Sequence, residues 1–337
     1  MNNLLKWHYW SLKNINIDYR FNLYIADEIE DTKHNLFYSN RNETAFKPSM
    51  DIVSKFKTTD SHLNADFVFV PHPWISIKKN NSYLKYLTYL SQTTPLLIVN
   101  TDDNSPICKL PNTLEIRTFL HPRESEFRKI IVPYPAKGKD FQIRKWKPKP
   151  SISFIGYVPK FSFGTLTSKS PYFISAPIKS SVYLNRRISI SKLRRLGEEF
   201  NVTCIERKSF TPIISNPNML EHMKFYQKNL SISDYILCPR GFANTSIRFY
   251  ETISSGASPI LVQSGSKFPM LDDNNFWTKN MLSVDLFSNW AKVISQDWAF
   301  LGESDNFYKR QLQNHLMFSE SLDLQKYLEK LFSEYLQ

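Results

Sequence analysis

Glycine is scarce in this sequence. Eight glycines stand against 19 prolines in 337 residues, so each glycine is expected to serve a turn or a close approach that other residues do not allow. Cysteine is scarcer still. Cys108, Cys204 and Cys238 are odd in number, widely spaced and without a C-x-x-C pair, which excludes a disulfide framework and a zinc knuckle and suits a reducing compartment. Cys204 and Cys238 fall in apolar, strand-like runs, where buried thiols are ordinary. Long apolar runs are also missing: "FVFV" and "PLLIV" fall far below the roughly 20 residues that a membrane-crossing helix needs. The opening "MNNLLKWHYW" has neither the apolar core nor the small-residue cleavage site of a signal peptide. No D-x-D triplet occurs, so closely spaced carboxylates for a divalent ion are lacking and no metal site is expected.

Positive charge is in excess, with 43 Lys and Arg against 31 Asp and Glu and a formal net charge of +12. Nucleic acid, an anionic membrane surface and phosphorylated ligands would each suit that excess. The basic residues are scattered rather than blocked, and neither zinc-finger spacing nor an aromatic RNA-binding signature accompanies them. A nucleic-acid partner is therefore not expected. With 42% hydrophobic and 15% aromatic residues the chain can fill substantial cores, and its length suggests two domains.

Short apolar runs alternate with polar, helix-like stretches. "FNLYIA" (21–26), "ADFVFVP" (65–71) and "PLLIVN" (95–100) read as buried parallel strands, with helical spacing over 48–58 and 81–92. "LEIRTF" and "KIIVPYP" add further strands, which together predict a doubly wound sheet. The basic, proline-containing stretch 134–150 has the composition of a surface linker. Beyond it the alternation restarts with "SISFIG" (151–156), a basic helix over 186–200, "VTCIE" (202–206), a helix near 217–229 and "DYILC" (234–238). "SPILV" (258–262) and "MLSVDL" (281–286) follow, and the tail is helical, most clearly at 325–336. The expected fold class is α/β, with two domains facing each other across a cleft. An N-terminal domain spans 1–140, a linker 141–150 and a C-terminal domain 151–300, with C-terminal helices over 301–337 packing back.

The densest chemistry lies in "CPRGFANTSIRFYETISSGASPILV" (238–262). Its loop 239–245 leaves the carboxyl edge of a strand, where open α/β sheets bind ligands, and enters a helix at about 246–255. Asn244, Thr245 or Ser246 can cap that helix, and Gly256 suits the left-handed residue after its end. Ile247, Tyr250 and Ile253 make one apolar face; Arg248 and Glu251, three apart, share a different one. Arg248 in the first turn opposes the helix dipole by ~0.3–1 kcal/mol, and Arg240 adds a cation just upstream. Two guanidinium groups beside the free amides of a helix start suit an anion. Glu251, one turn deeper, suits ribose hydroxyls, and the spacing is that of a nucleotide. The bland alternative is a surface pair between Arg248 and Glu251 worth ~0.2–0.5 kcal/mol, in the poorer order for the dipole.

The stretch from about 231 to 285 resembles the exostosin-like glycosyltransferases. They share a strand leading to a proline and glycine loop, an arginine-bearing helix start, an acidic residue, and then small-Gly-x-x-Pro-hydrophobic. "FPMLDDNNFW" ahead of "MLSVDL" is similar to that family's proline and tryptophan segment. "ADFVFVPH", "KIIVPYP" and "SISFIGY" are similar to its other strands, in order. The resemblance implies a GT-B fold of two Rossmann-like domains, the donor held mainly by the second and the acceptor by the first. It also implies inverting transfer from a nucleoside diphosphate sugar, a UDP-sugar, to a glycan or lipid-linked glycan. Arg248 would then hold the diphosphate and Glu251 the ribose, with Arg240, the Gly241 backbone and Ser246 as further donor contacts. No cofactor is implied beyond the nucleotide-sugar substrate. The family's animal members carry a membrane anchor, a stem and paired cysteines that this sequence lacks. That suits a cytoplasmic enzyme of surface polysaccharide or lipid-linked glycan synthesis, with peripheral contact to an anionic membrane left open.

Inverting transfer needs a base for the acceptor hydroxyl. Asp102 and Asp103 follow the strand 95–100, and His72 follows the strand 65–71, so all three stand at carboxyl edges. A turn or cap for the aspartates, and a structural role for His72 between Pro71 and Pro73, are the alternatives. His121, Glu124 and Glu126 read as a solvated loop, and Asp272–Asn275 as a surface turn. Arg186, Arg187, Arg194 and Arg195 form a basic helix face that also suits a donor diphosphate or an anionic acceptor. A fucosyltransferase-like enzyme using a GDP-sugar, and a basic nucleic-acid or membrane-binding module, remain alternative functions.

Overall fold

The computed structural model describes residues 22–26, 57–70, 74–77, 80–99, 108–118, 120, 127–134, 136, 138–139, 141–158, 176–207, 219–241, 245–262, 265, 267–271, 273, 275–303, 305–323, 326–327 and 330–331. The chain divides into two compact units, Met1–Pro135 with Leu324–Gln337, and Ala136–Asp323.

In the first unit the strands are β1 (Asn22–Ile25), β2 (Lys57–Thr58), β3 (Phe67–Val70), β4 (Leu96–Val99), β5 (Thr113–Arg117) and β6 (Lys129–Ile131). They lie in the order β2-β1-β3-β4-β5-β6, with every neighbouring pair parallel. Val68, Phe69, Val70, Leu96, Leu97 and Ile98 are all buried, which is why these runs show no apolar-polar alternation: both faces of the sheet are covered. Lys57 and Thr58 close the span 48–58, where the spacing predicts a helix, yet they pair with Asn22 and Leu23 as a strand. Pairing at the sheet edge outweighs the local pattern there, and 48–56 lie outside the described residues. Helix α1 (Trp74–Ile77) and helix α2 (Asn81–Leu90) follow β3. Asn80 caps α2, its Oδ1 accepting from the Tyr83 amide at 3.0 Å. Tyr83, Leu87 and Leu90 form the buried stripe of α2, and the Tyr83 hydroxyl donates to the Ala26 carbonyl at 2.6 Å, tying the helix to the end of β1.

In the second unit β7 (Ser151–Tyr157), β8 (Asn201–Arg207), β9 (Tyr235–Leu237), β10 (Ser258–Val262) and β11 (Leu282–Val284) lie in the order β11-β10-β9-β7-β8, all parallel. The chain places β8 on one side of β7 and β9 on the other. The strand order therefore switches between β7 and β9, and a crevice opens at their carboxyl ends. The helices are α3 (Ala176–Arg194), α4 (Met219–Ile232), α5 (Ile247–Ser254), α6 (Phe276–Asn280), α7 (Trp290–Gly302) and α8 (Asn306–Met317). Phe154, Ile190, Leu193, Tyr235, Ile260 and Trp298 belong to one core cluster. Helix α3 begins ten residues before the predicted 186 and stops at Arg194 rather than 200. Pro177 at its second position is tolerated because its missing N–H falls in the first turn. At the other end the Arg195 and Leu196 amides turn back to Lys192 and Leu193, a tightened last turn ahead of Gly197.

The stretch 141–150, linker-like in composition, is irregular and fastened to the second unit. Arg144 exchanges two backbone hydrogen bonds with the Gln311 side chain at 2.8 and 3.0 Å. Its Nη1 donates to the carbonyls of Ser231 and Ser255 at 3.2 and 3.1 Å, closing the ends of α4 and α5. Gly256 takes φ +73 after α5, the left-handed position expected of it. A Cβ there would also strike the Phe141 ring.

Candidate functional site

Helix α5 starts at the carboxyl edge of β9 and carries most of the motif. Ser246 holds the cap position in extended backbone (φ −139, ψ 155) but makes no side-chain capping bond. Its Oγ, like Oγ1 of the buried Thr245, is buried without a partner, so the helix start keeps donors that its own sequence does not satisfy. Asn244 lies outside the described residues. One expectation fails here: Ile247, assigned to the apolar face, is 43% exposed, whereas Arg248 is only 8% exposed. The sheet ends beneath the first turn of α5, and the long arginine stem fills that place.

Arg248 is held from below. Its Nη2 donates to the Ile155 carbonyl at 2.7 Å, and its guanidinium carbon lies 4.7 Å from the centroid of the Phe154 ring, a cation–π contact worth about 0.5–2 kcal/mol. Gly156 makes room for it, since a Cβ on Gly156 would run into Nη2 of Arg248. The Arg248 Nε, buried, has no partner. The surface pair with Glu251 is not what the structure contains.

Two further cations come from elsewhere in the chain. Arg186 of α3 lies 5.8 Å over the same Phe154 ring, and burial, then the charges of Arg248 and Arg207, pull its pKa down to about 9. Arg207, the last residue of β8, is lowered by burial and then by Arg248. An arginine keeps its proton under such conditions, so the three guanidinium groups repel one another, an effect partly offset at Arg207 by Tyr226 and Glu251. Arg240 is lowered by burial. The Nε atoms of Arg186, Arg207 and Arg240 are, like that of Arg248, buried and, among the described residues, unpartnered. Beside Gly241 no described residue stands where a Cβ would be placed.

The carboxylate of Glu251 faces a different pair. Oε2 accepts from the Tyr226 hydroxyl at 2.6 Å, and Oε1 lies 3.2 Å from Lys139 Nζ. The segment after β10 packs on α5 through aromatic rings. Phe268 stacks on Phe249 and on Trp277, at 5.3 and 4.8 Å between centroids, and the Trp277 indole donates to the Pro269 carbonyl at 3.2 Å. Cys238 is buried beside this helix, where burial pushes its thiol up to about 11.

The structure thus brings Arg240, Gly241, Ser246, Arg248 and Glu251 to one sheet edge, and adds Gly156, Arg186, Arg207, Tyr226 and Lys139. Of these additions only Arg186 stood out in the sequence, within a basic face whose Arg187, Arg194 and Arg195 point elsewhere or stay exposed: Arg194 pairs with Glu206 at 2.8 Å. Asp102, Asp103 and His72 lie outside the described residues, as do His121, Glu124 and Glu126. Among the described residues no three His, Cys, Asp or Glu side chains group as metal ligands, and no helix is long and apolar enough to cross a membrane.

Because the charge of Arg186 is disfavoured in the free protein, Arg186→Met, which keeps an unbranched stem over Phe154, should raise the thermal midpoint by roughly 2–4 °C while weakening binding of inorganic pyrophosphate. Differential scanning calorimetry and titration calorimetry read the two effects. A lower midpoint with unchanged pyrophosphate affinity would return Arg186 to a packing role.

No protein-family model and no curated protein sequence matches the chain. Solved structures with a similar backbone include the GtfA/B complex, at 10% identity over 80% of this chain and 57% of that one, with a TM-score of 0.37. TarM is similar at 9% identity over 80% and 55%, with a TM-score of 0.40. WaaG, a glycosyltransferase involved in lipopolysaccharide biosynthesis, is similar at 9% identity over 88% and 85%, with a TM-score of 0.35. The chain spans little more than half the length of the first two.

Proposed function

We propose that the chain is a GT-B glycosyltransferase that moves a sugar with inversion from a nucleoside diphosphate sugar, a UDP-sugar, to a glycan or lipid-linked glycan acceptor. The observation that carries this is the crowding of Arg186, Arg207 and Arg248 at the β7–β9 switch point. They repel one another, and the buried Nε atom of each has no partner among the described residues. An anion seated among them would offset that repulsion, and each hydrogen bond to a charged phosphate oxygen is worth about 1.5–3 kcal/mol. Glu251 one helical turn away supplies the acceptor that a ribose needs and a bare phosphate does not. Donors fixed in advance and aimed at the leaving diphosphate stabilise the charge that develops on it as the glycosidic bond breaks. The guanidinium groups give that charge compensation without a divalent ion. Asp102, Asp103 or His72 would then take the proton of the acceptor hydroxyl.

Titration calorimetry with uridine diphosphate, guanosine diphosphate, uridine and pyrophosphate tests this reading. Uridine diphosphate should bind tightest, pyrophosphate less well, and uridine least. Tighter binding of guanosine diphosphate would favour the fucosyltransferase-like alternative. Binding of none of the four, together with salt-sensitive binding to duplex DNA or anionic vesicles, would favour the basic binding module.

A further inference from the structure

Glu251 is already held on both oxygens, and the way it is held says more than the motif does. A carboxylate offers about four acceptor positions, two on each oxygen. The Tyr226 hydroxyl occupies one on Oε2 and the Lys139 ammonium one on Oε1. Among the described residues one position on each oxygen is left, which suits two neighbouring hydroxyl donors. We propose that Tyr226 and Lys139 are positioning residues that hold the Glu251 carboxylate for the cis-diol of a ribose. This rests on the nucleotide reading above and names two residues that the motif does not contain.

The two partners contribute differently. Tyr226, from α4, is only partly exposed, and burial and the neighbouring Glu251 keep its hydroxyl protonated far into the alkaline range, so it acts purely as a donor. It orients the carboxylate without changing its charge. Lys139 neutralises Glu251, with both side chains largely buried at 16% and 13% exposure. Without that pairing the carboxylate would be free to turn to Arg207, on whose charge it already acts. The arginine cluster would then lose part of the positive charge that a diphosphate requires. Lys139 therefore serves both halves of the ligand, whereas Tyr226 serves the ribose alone.

The test compares uridine diphosphate with 2′-deoxyuridine diphosphate, or the guanosine pair if the wild type prefers it, by titration calorimetry on the full chain. The wild type should prefer the ribonucleotide by about tenfold, the value of one hydrogen bond to a charged group. Tyr226→Phe should reduce that preference to about threefold or less, leaving affinity for the deoxynucleotide unchanged. Lys139→Met should weaken both nucleotides, the ribonucleotide more than the deoxynucleotide, and Glu251→Gln should retain a partial preference. Equal weakening of both nucleotides by Tyr226→Phe, or an intact preference, would overturn the assignment, because a packing role moves both affinities together. A wild type that binds the nucleotides without preferring ribose also overturns it, and leaves the diphosphate site standing. A wild type that binds neither nucleotide removes the diphosphate site and this inference with it. Should Tyr226→Phe fail to fold, Lys139→Met and Glu251→Gln still decide: a full ribose preference in both would sink the proposal.

Discussion

Arg248→Ala is expected to weaken uridine diphosphate binding by about 10- to 150-fold, the equivalent of ~1.5–3 kcal/mol for a charge-assisted contact, and to leave uridine binding nearly unchanged. The selectivity of the loss matters, because Arg248 also has a structural attachment. Its Nη2 satisfies the Ile155 carbonyl, and its guanidinium lies over the Phe154 ring. Truncation therefore lowers stability as well, and a folded-state loss alone would weaken both ligands alike. Arg248→Lys separates the contributions further. Lysine keeps the charge but lacks the planar fork that spans a carbonyl and a phosphate together, so it should recover only part of the affinity. Equal loss of both ligands, or none, would count against the assigned role.

The largest effect is expected in turnover. Replacing the true base should cut it by roughly 10²–10⁴-fold while donor affinity stays unchanged. Asp102 and Asp103 follow β4, which ends at Val99, and His72 follows β3, which ends at Val70. In chain order both come directly after the carboxyl ends of parallel strands, the edge where such a group is expected. A solvent-facing aspartate in general needs little tuning to accept a developing proton, which is the reason to test Asp102 and Asp103 ahead of His72, which stands between two prolines. Single alanine variants, each measured for steady-state turnover and for donor affinity, check this. If all three retain near-normal turnover, the base lies elsewhere, and Glu124 and Glu126 come next.

The strands were legible because burial on both faces leaves an unbroken apolar run, as in Val68–Val70 and Leu96–Ile98. Gly256 was legible because a left-handed residue after a helix admits little else. Within the site, Arg240, Arg248 and Glu251 lie close together in sequence and could be read as one unit. Arg207, Tyr226 and Lys139 could not, and Arg186 only as one of four arginines on a basic face, since they reach the same edge from β8, α4, the segment before 141 and α3. Only the order of strands in the sheet brings them together. The burial of Arg248 was hidden for a related reason: helical periodicity puts Ile247 on the apolar face, but the first turn of α5 sits at the end of the sheet, where the face that is covered depends on β7. Gly156 shows what such contacts require. In the sequence it is one glycine in a strand, and only beside the Arg248 guanidinium does the missing side chain acquire a reason.

The central claim is that this edge of the second sheet holds the diphosphate of a sugar donor for transfer. It is tested most directly by incubating the protein with a panel of UDP- and GDP-sugars in the presence of chelator, and following release of free nucleoside diphosphate, since many transferases slowly hydrolyse their donor when no acceptor is present. At least one donor should be consumed in chelator, and consumption should fall in Arg248→Ala. Turnover that disappears in chelator and returns with magnesium or manganese would contradict compensation by the arginines. Consumption of a donor that is unaffected by Arg248→Ala would contradict the site itself.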